Sequence, residues 1–389
     1  MPHLVLDLRW VRSTTLDGIG RVSLSYTAEL LRYDNESVLS PYRYTLLFTQ
    51  ATLRDFCLQW IKDYDRQRPL RADYRIKTCG YDARSLKNRT RLAAELKALT
   101  PDLYLSFYYI FHRMPGLNLA MVHDLTPLRY PQYFKQASPL FRLMLCHKPG
   151  LRFLLQQADR LLTVSESTRQ DILAVLPSSP RPNSRTRAVQ VIPLAAAPPE
   201  PIQASAPLSE PYLLQVGRAD PHKNQWGLLQ AYARLPHPLQ SQYMLVFAGP
   251  EDPRYTPALK TEIQRLQLTS RVHFTGSLSA TGLHRFYQHA HLFIMPSYYE
   301  GFGLPILEAM QYGVPCVLAQ VASLPEVGGR AAHYIPPEDP QSMAKAITKI
   351  LTSPTLHRRM AEASRQRAEA FDWKTTCQQF IDYIEGIRL

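Results

Sequence analysis

The stretch 300–308, EGFGLPILE, constrains this chain most, because it joins a strand-like run to a helix-like run through residues that leave the backbone few choices. The preceding HLFIMPS, 291–297, is a short apolar run ended by proline, the pattern of a strand buried on both faces. The following LPILEAMQYG, 304–313, has the spacing of a helix that begins near Pro305 and stops at Gly313. Pro305 suits the first helical position, since its φ is already helical and its missing N–H has no partner to lose there. Gly301 and Gly303 allow unusual backbone angles and a close approach of a ligand to the main chain. Strand, glycine turn and helix in that order are the building unit of a parallel α/β sheet, whose ligands lie beyond the carboxyl ends of the strands.

The same stretch has a chemical reading. The amides of Phe302, Gly303 and Leu304, with the positive end of the helix, suit a phosphate. Glu300 stands just before the turn and Glu308 is expected in the first helical turn, so two carboxylates flank the opening and can accept hydrogen bonds from sugar hydroxyls. Phosphate plus polyol describes a sugar nucleotide. Spacing alone also fits two surface charges at an ordinary connection, and the neighbouring segments decide between the two. The strand 212–216 runs into GRADPHKN, which places Arg218 and Lys223 in a second strand-to-helix loop. Arginine grips phosphate oxygens in pairs and lysine acts as a compact charge, so the two can clamp a diphosphate.

Glu300 and Glu308 with seven residues between them, the intervening GFGLP, the following EAMQYGVPCV and the GR-plus-Lys pattern resemble retaining glycosyltransferases of family 4, over nearly the whole chain. That resemblance implies the GT-B fold: two Rossmann-like parallel-sheet α/β domains facing each other across a cleft, with a C-terminal helix crossing back to the first domain. It implies that Glu300 contacts the donor sugar, that Glu308 contacts the nucleotide ribose, and that the backbone at Gly276 and Leu278 meets the nucleobase. SLPEVGG with Glu326 also matches. The segment VHDLTPLRYPQYF resembles the family's corresponding stretch, and by that resemblance His123 approaches the transferred sugar. Gly18 and Gly20, after the first strand, resemble the acceptor-side loop; a tight turn is the plain alternative.

The expected divisions are 1–200 for the acceptor domain, 201–211 for a proline-rich linker, 212–370 for the donor domain and 371–389 for the returning helix. At 389 residues the chain exceeds one usual core. Further strands are expected near 4–8, 102–107, 117–122, 189–193, 243–248, 272–275, 315–318 and 333–336. Helices are expected near 21–31, 258–268, 283–289, 341–351 and 374–387. In 158–173, ADRLLTVSESTRQDIL, a strand runs into a helix that Ser167 is expected to cap, with Gln170 completing a capping box.

Composition narrows the classes. Five scattered cysteines without a C-x-x-C pair suggest neither a disulfide framework nor zinc, and a reducing cytoplasm is the expected home. No apolar run approaches the ~18 residues of a spanning helix. The start, PHLVLDLRWV, reads as a first strand rather than a signal peptide. The net charge of +13 is concentrated in 1–206, where 28 Lys and Arg oppose 17 Asp and Glu. Such a face attracts phosphates, nucleic acid or an anionic membrane, and 85–99 reads as a basic amphipathic helix for which a surface position or a peripheral membrane contact both fit. Asp63-Tyr64-Asp65 imitates a metal-binding D-x-D but has no apolar strand to aim it, so no metal and no cofactor are expected.

The expected reaction is transfer of a hexose, with mannose from GDP-mannose as the first choice, to a hydroxyl of a glycan or lipid-linked acceptor. The alternatives are a sugar-nucleotide epimerase of the same architecture and, in another class, a basic nucleic-acid-binding protein. The latter shows no zinc-finger, RNA-recognition or helix-turn-helix signature, so no specific nucleic acid is expected.

Overall fold

The computed structural model describes residues 1–33, 42–65, 68–80, 95–177, 188–201 and 205–387. The chain forms two compact units, Met1–Ala197 together with Asp372–Leu389, and Pro198–Phe371. Among the described residues the first unit holds seven strands: β1 His3–Asp7, β2 Arg43–Phe48, β3 Tyr74–Thr78, β4 Leu103–Ser106, β5 Leu117–Val122, β6 Arg160–Thr163 and β7 Val189–Val191. They are ordered β3-β2-β1-β4-β5-β6-β7 and every pairing is parallel. The second unit holds β8 Tyr212–Val216, β9 Met244–Ala248, β10 Val272–Phe274, β11 Leu292–Met295, β12 Cys316–Ala319 and β13 His333–Ile335, ordered β10-β9-β8-β11-β12-β13 and again parallel. The central strands are fully buried, as their largely apolar runs require of a sheet covered by helices on both faces.

In both sheets the strand order reverses at one place, between β1 and β4 in the first and between β8 and β11 in the second. Connections on the two sides of such a point leave toward opposite faces, and their carboxyl ends open a crevice. The loops after β8 and β11 carry Arg218, Lys223 and the stretch 300–308, so topology delivers these segments to one crevice of the second unit.

The last helix, Trp373–Gly386, belongs to the first unit and packs on the helix Gly18–Arg32. Tyr26 meets Trp373 and Phe380 edge to face, each with ring centroids 5.6 Å apart, and Thr376 Oγ1 donates to Pro193 O at 2.9 Å. Burying aromatic side chains of this size stabilises the contact by about 1.5–3 kcal/mol each. Segment 201–211 is tied to the second unit where described: Glu210 pairs with Arg271 and Ser205 accepts from Arg285.

Two local expectations are corrected. Ser165, not Ser167, caps the helix Glu166–Val175: its extended backbone (φ −153°, ψ 158°) lets its side chain accept from Thr168 N, whereas Ser167 falls inside the first turn. Gln170 donates to Glu166 rather than closing a capping box on Ser167. The helices Pro139–Leu145, Lys148–Leu155 and Pro354–Ala368 were not anticipated. Most of the expected helix at 85–99 lies outside the described residues. No helix among the described residues is long and apolar enough to cross a membrane.

Candidate active site

Gly303 takes a left-handed backbone (φ 106°, ψ 46°) and caps the helix Leu304–Gln311. A Cβ there would lie 2.9 Å from Ile306 Cδ1 and 3.2 Å from Leu324 Cδ2, side-chain ends that can shift, so it is the left-handed angle that favours glycine. The helix starts one residue before Pro305, which occupies its second position. Among the described residues, the amides of Phe302, Gly303 and Leu304 have no intramolecular acceptor. The turn is held from behind by Ser323, whose Oγ lies 2.9 Å from both Glu300 O and Phe302 O.

Lys223 and Glu300, 77 positions apart, form an ion pair with Nζ at 2.7 Å from Oε1 and 2.8 Å from Oε2. Their side chains are 17% and 11% exposed, so the pair is mostly shielded from water. Lysine has three N–H donors. Two can serve the carboxylate while one remains for another acceptor. Tyr298 N donates to His222 O at 2.8 Å, which joins the two loops a second time. Asn224, left-handed at φ 54°, ends the short turn at Pro221–Lys223 and caps the next helix by accepting from Gly227 N; its Nδ2 donates to Pro296 O and Pro337 O.

Arg218 is 59% exposed at its side chain and donates to Asp220 Oδ2 at 2.9 Å. Arg254 stands 3.8 Å from Asp220 and grips Asp252, a third basic residue of this rim that sequence reasoning missed. Gly276 is left-handed (φ 65°) with open space where a Cβ would stand, and Leu278 follows it half-buried.

Glu308 is corrected from the first turn to the second. It is 2% exposed and its Oε2 accepts from Tyr287 OH at 2.7 Å. Tyr287 was not anticipated, although its place on the helix Ala280–Gln288 fixes the carboxylate. Glu326 is exposed on the helix Leu324–Gly328.

In the first unit His123 ends β5 and is 9% exposed, with Nε2 2.8 Å from Phe107 O. Burial lowers its pKa below the ordinary histidine range despite that hydrogen bond. The imidazole is therefore neutral near pH 7. Gly18 and Gly20 lie within the first turn of Gly18–Arg32, capped by Asp17, rather than in a loop. Gly20, with Val11, Arg12 and Asp17, lines a hollow of about 300 Å³. Just before it, Asp7 and Arg9 form a fully buried pair 2.7 Å apart that also engages Tyr104. Burial opposes the charged form of Asp7, but the Arg9 guanidinium and its hydrogen bonds outweigh this and hold the carboxyl below its usual range. Asp63 accepts from Gln59 and Asp65 pairs with Arg68, so this D-x-D serves local ion pairing.

Comparison with known proteins identifies the family and the fold. Residues 199–367 match the family described as glycosyl transferases group 1. The chain is 31% identical over 283 residues to the O-antigen chain mannosyltransferase B of Escherichia coli, covering 71% of each protein. It is 28% identical over 275 residues to the serotype-specific mannosyltransferase WbdA of Escherichia coli, covering 69% of this chain and 33% of that larger protein. The crystal structure of Anabaena HepE in complex with UDP-glucose superposes with a TM-score of 0.69 at 16% identity, over 99% of both chains. Nothing in these relatives favours an epimerase. The chain belongs to the glycosyl transferases of group 1 and is a glycosyltransferase with the GT-B fold.

Proposed function

We propose that the protein is a retaining hexosyltransferase that works without a metal, moving mannose from GDP-mannose to a hydroxyl of a glycan or lipid-linked glycan. The Lys223–Glu300 pair carries the reading: it sets a cation and a sugar-binding carboxylate side by side at the start of a helix whose first amides lack protein acceptors. Mannose is chosen because the two relatives named above, at 31% and 28% identity, are mannosyltransferases. The nucleoside diphosphate sugar is supported by the HepE complex.

In the proposed step the bond between the anomeric carbon and the β-phosphate oxygen breaks, and its electron pair leaves with the phosphate. The acceptor oxygen bonds to the anomeric carbon from the same face and passes its proton to the departing phosphate oxygen. Negative charge therefore grows on the β-phosphate, where Arg218, Lys223 and the amides of 302–304 stabilise it; pre-aimed donors of this kind each contribute about 2.7–4 kcal/mol. Glu300 accepts hydrogen bonds from sugar hydroxyls and Glu308 from the ribose. Gly276 and Leu278 offer backbone to the base, while Gly301 lets the turn close on the donor. His123, neutral at its strand end, approaches the sugar.

The test is a melting-temperature screen against sugar nucleotides, with and without a chelator. A ligand at one hundred times its Kd stabilises by about 2.7 kcal/mol. GDP-mannose is expected to raise the melting point most, equally with the chelator present. A larger shift from another donor would replace mannose, and a shift abolished by the chelator would overturn the metal-free scheme.

A further inference from the structure

From Leu125 to Ala158 the chain runs 34 residues without one carboxylate, and it carries five cations there: Arg129, Lys135, Arg142, Lys148 and Arg152. In a protein with 32 acidic residues this is a local exclusion of negative charge. The structure folds the middle of the segment into two short helices, Pro139–Leu145 and Lys148–Leu155. A Cβ added at Gly150 would lie 2.3 Å from Leu143 O and 2.6 Å from Met144 Cα, so the two helices of the hairpin touch backbone to backbone.

The inner side of the hairpin is committed. Leu145, Leu151 and Leu155 are buried in a core with Val122, Leu161 and Ile172, and Phe141, Met144 and Leu154 pack against it. The outer side is not. Leu140, Leu143 and Phe153 are 50%, 60% and 57% exposed, three of the seven large exposed hydrophobics among the described residues. Lys135, Arg142 and Lys148 are exposed in the same segment and have no carboxylate partner among the described residues. Arg129 and Arg152 are occupied, by Asp171 and by Val175 O.

Apolar side chains exposed on this hairpin, with exposed cations at 135, 142 and 148 and no carboxylate in the segment, match the surface of an anionic bilayer: the apolar groups enter the headgroup boundary and the cations meet lipid phosphates. A protein interface is depleted in lysine relative to the rest of the surface, whereas Lys135 and Lys148 stand in this segment. We infer that the hairpin 139–155 docks on anionic lipid. It deepens the lipid-linked-acceptor reading by placing a contact on this hairpin, and vesicle binding is measured without donor or turnover, so either can fail alone.

The test is co-sedimentation of the full chain with vesicles of phosphatidylglycerol and phosphatidylcholine, against phosphatidylcholine alone. Each cation near such a surface is worth about a fivefold change in partitioning. Arg142→Glu with Lys148→Glu is expected to weaken binding roughly 25-fold or more, and Leu143→Ser with Phe153→Ser to weaken it while the melting point holds. Lys345→Glu with Lys349→Glu, exposed on the second unit, should change nothing. Should either hairpin variant misfold, Lys135→Gln with Arg142→Gln takes its place. Absence of binding, equal binding to neutral vesicles, or equal loss in the control would overturn the inference. Self-association abolished by the Leu143/Phe153 variant without vesicle binding would assign the face to a second copy of the chain.

Discussion

Replacing Lys223 by Met, alone and with Glu300→Gln, tests the ion pair that joins the two loops. Removing one partner of a fully buried pair costs about 3–5 kcal/mol, and an exposed pair contributes about 0–1. With 17% and 11% of the side chains exposed and contacts of 2.7 and 2.8 Å, Lys223→Met should lie between, at about 2–3 kcal/mol. For a unit the size of Pro198–Phe371, 1 kcal/mol moves the melting point by about 2–4 °C, which gives a fall of about 4–12 °C. Most of that cost is the stranded Glu300 charge. Adding Glu300→Gln removes it, and the double variant should recover about 1–2 kcal/mol relative to the sum of the singles. Urea unfolding followed by circular dichroism gives all four corners of the cycle. Additivity within about 0.5 kcal/mol would show that the pair contributes no stability and would refute the reasoning.

Gly249→Ala should distort the loop of Arg218 and Lys223 from behind. At φ 139° its Cβ would lie 2.4 Å from Gly217 O, so about 2–5 kcal/mol of strain and overpacking is expected in urea unfolding, whereas Gly386→Ala, with open space around it, should be neutral. His123 should titrate below the ordinary value near 6.5 in NMR. Because its folded pKa is depressed, its contribution to stability is complete above about pH 6.5 and declines as pH falls toward the folded pKa; a resonance titrating at or above 6.5 would contradict its buried, neutral state.

The strands were legible because runs such as LVL, LAMV and LFIM are apolar without interruption, the pattern of a sheet covered on both sides. The helix Pro354–Ala368 was illegible for the opposite reason: its buried face is Met360, Ser364 and Ala368 in an otherwise polar sequence, although Ser353-Pro354 carried a start signal. Ser165 and Ser167 stand two residues apart, and sequence cannot say which adopts the extended angles of a cap. Both loops of the candidate site could be placed at strand ends from local pattern. The Lys223–Glu300 contact could not, since it depends on β8 and β11 being neighbours in a sheet whose order is set by long-range pairing. Ser323 and Tyr287, which hold the nonapeptide in place, are hidden for the same reason.

The account rests on a leaving diphosphate stabilised by cations of the loop after β8, and Arg218→Ala tests this with least disturbance. Arg218 is 59% exposed and Asp220, 15% exposed, keeps Arg254 at 3.8 Å, so unfolding should change by no more than about 1 kcal/mol. The measurement is kcat/KM for sugar transfer, which should fall about 10²–10³-fold, the loss expected for one transition-state donor. An Arg218→Ala protein that transfers sugar at the unsubstituted rate would contradict the claim.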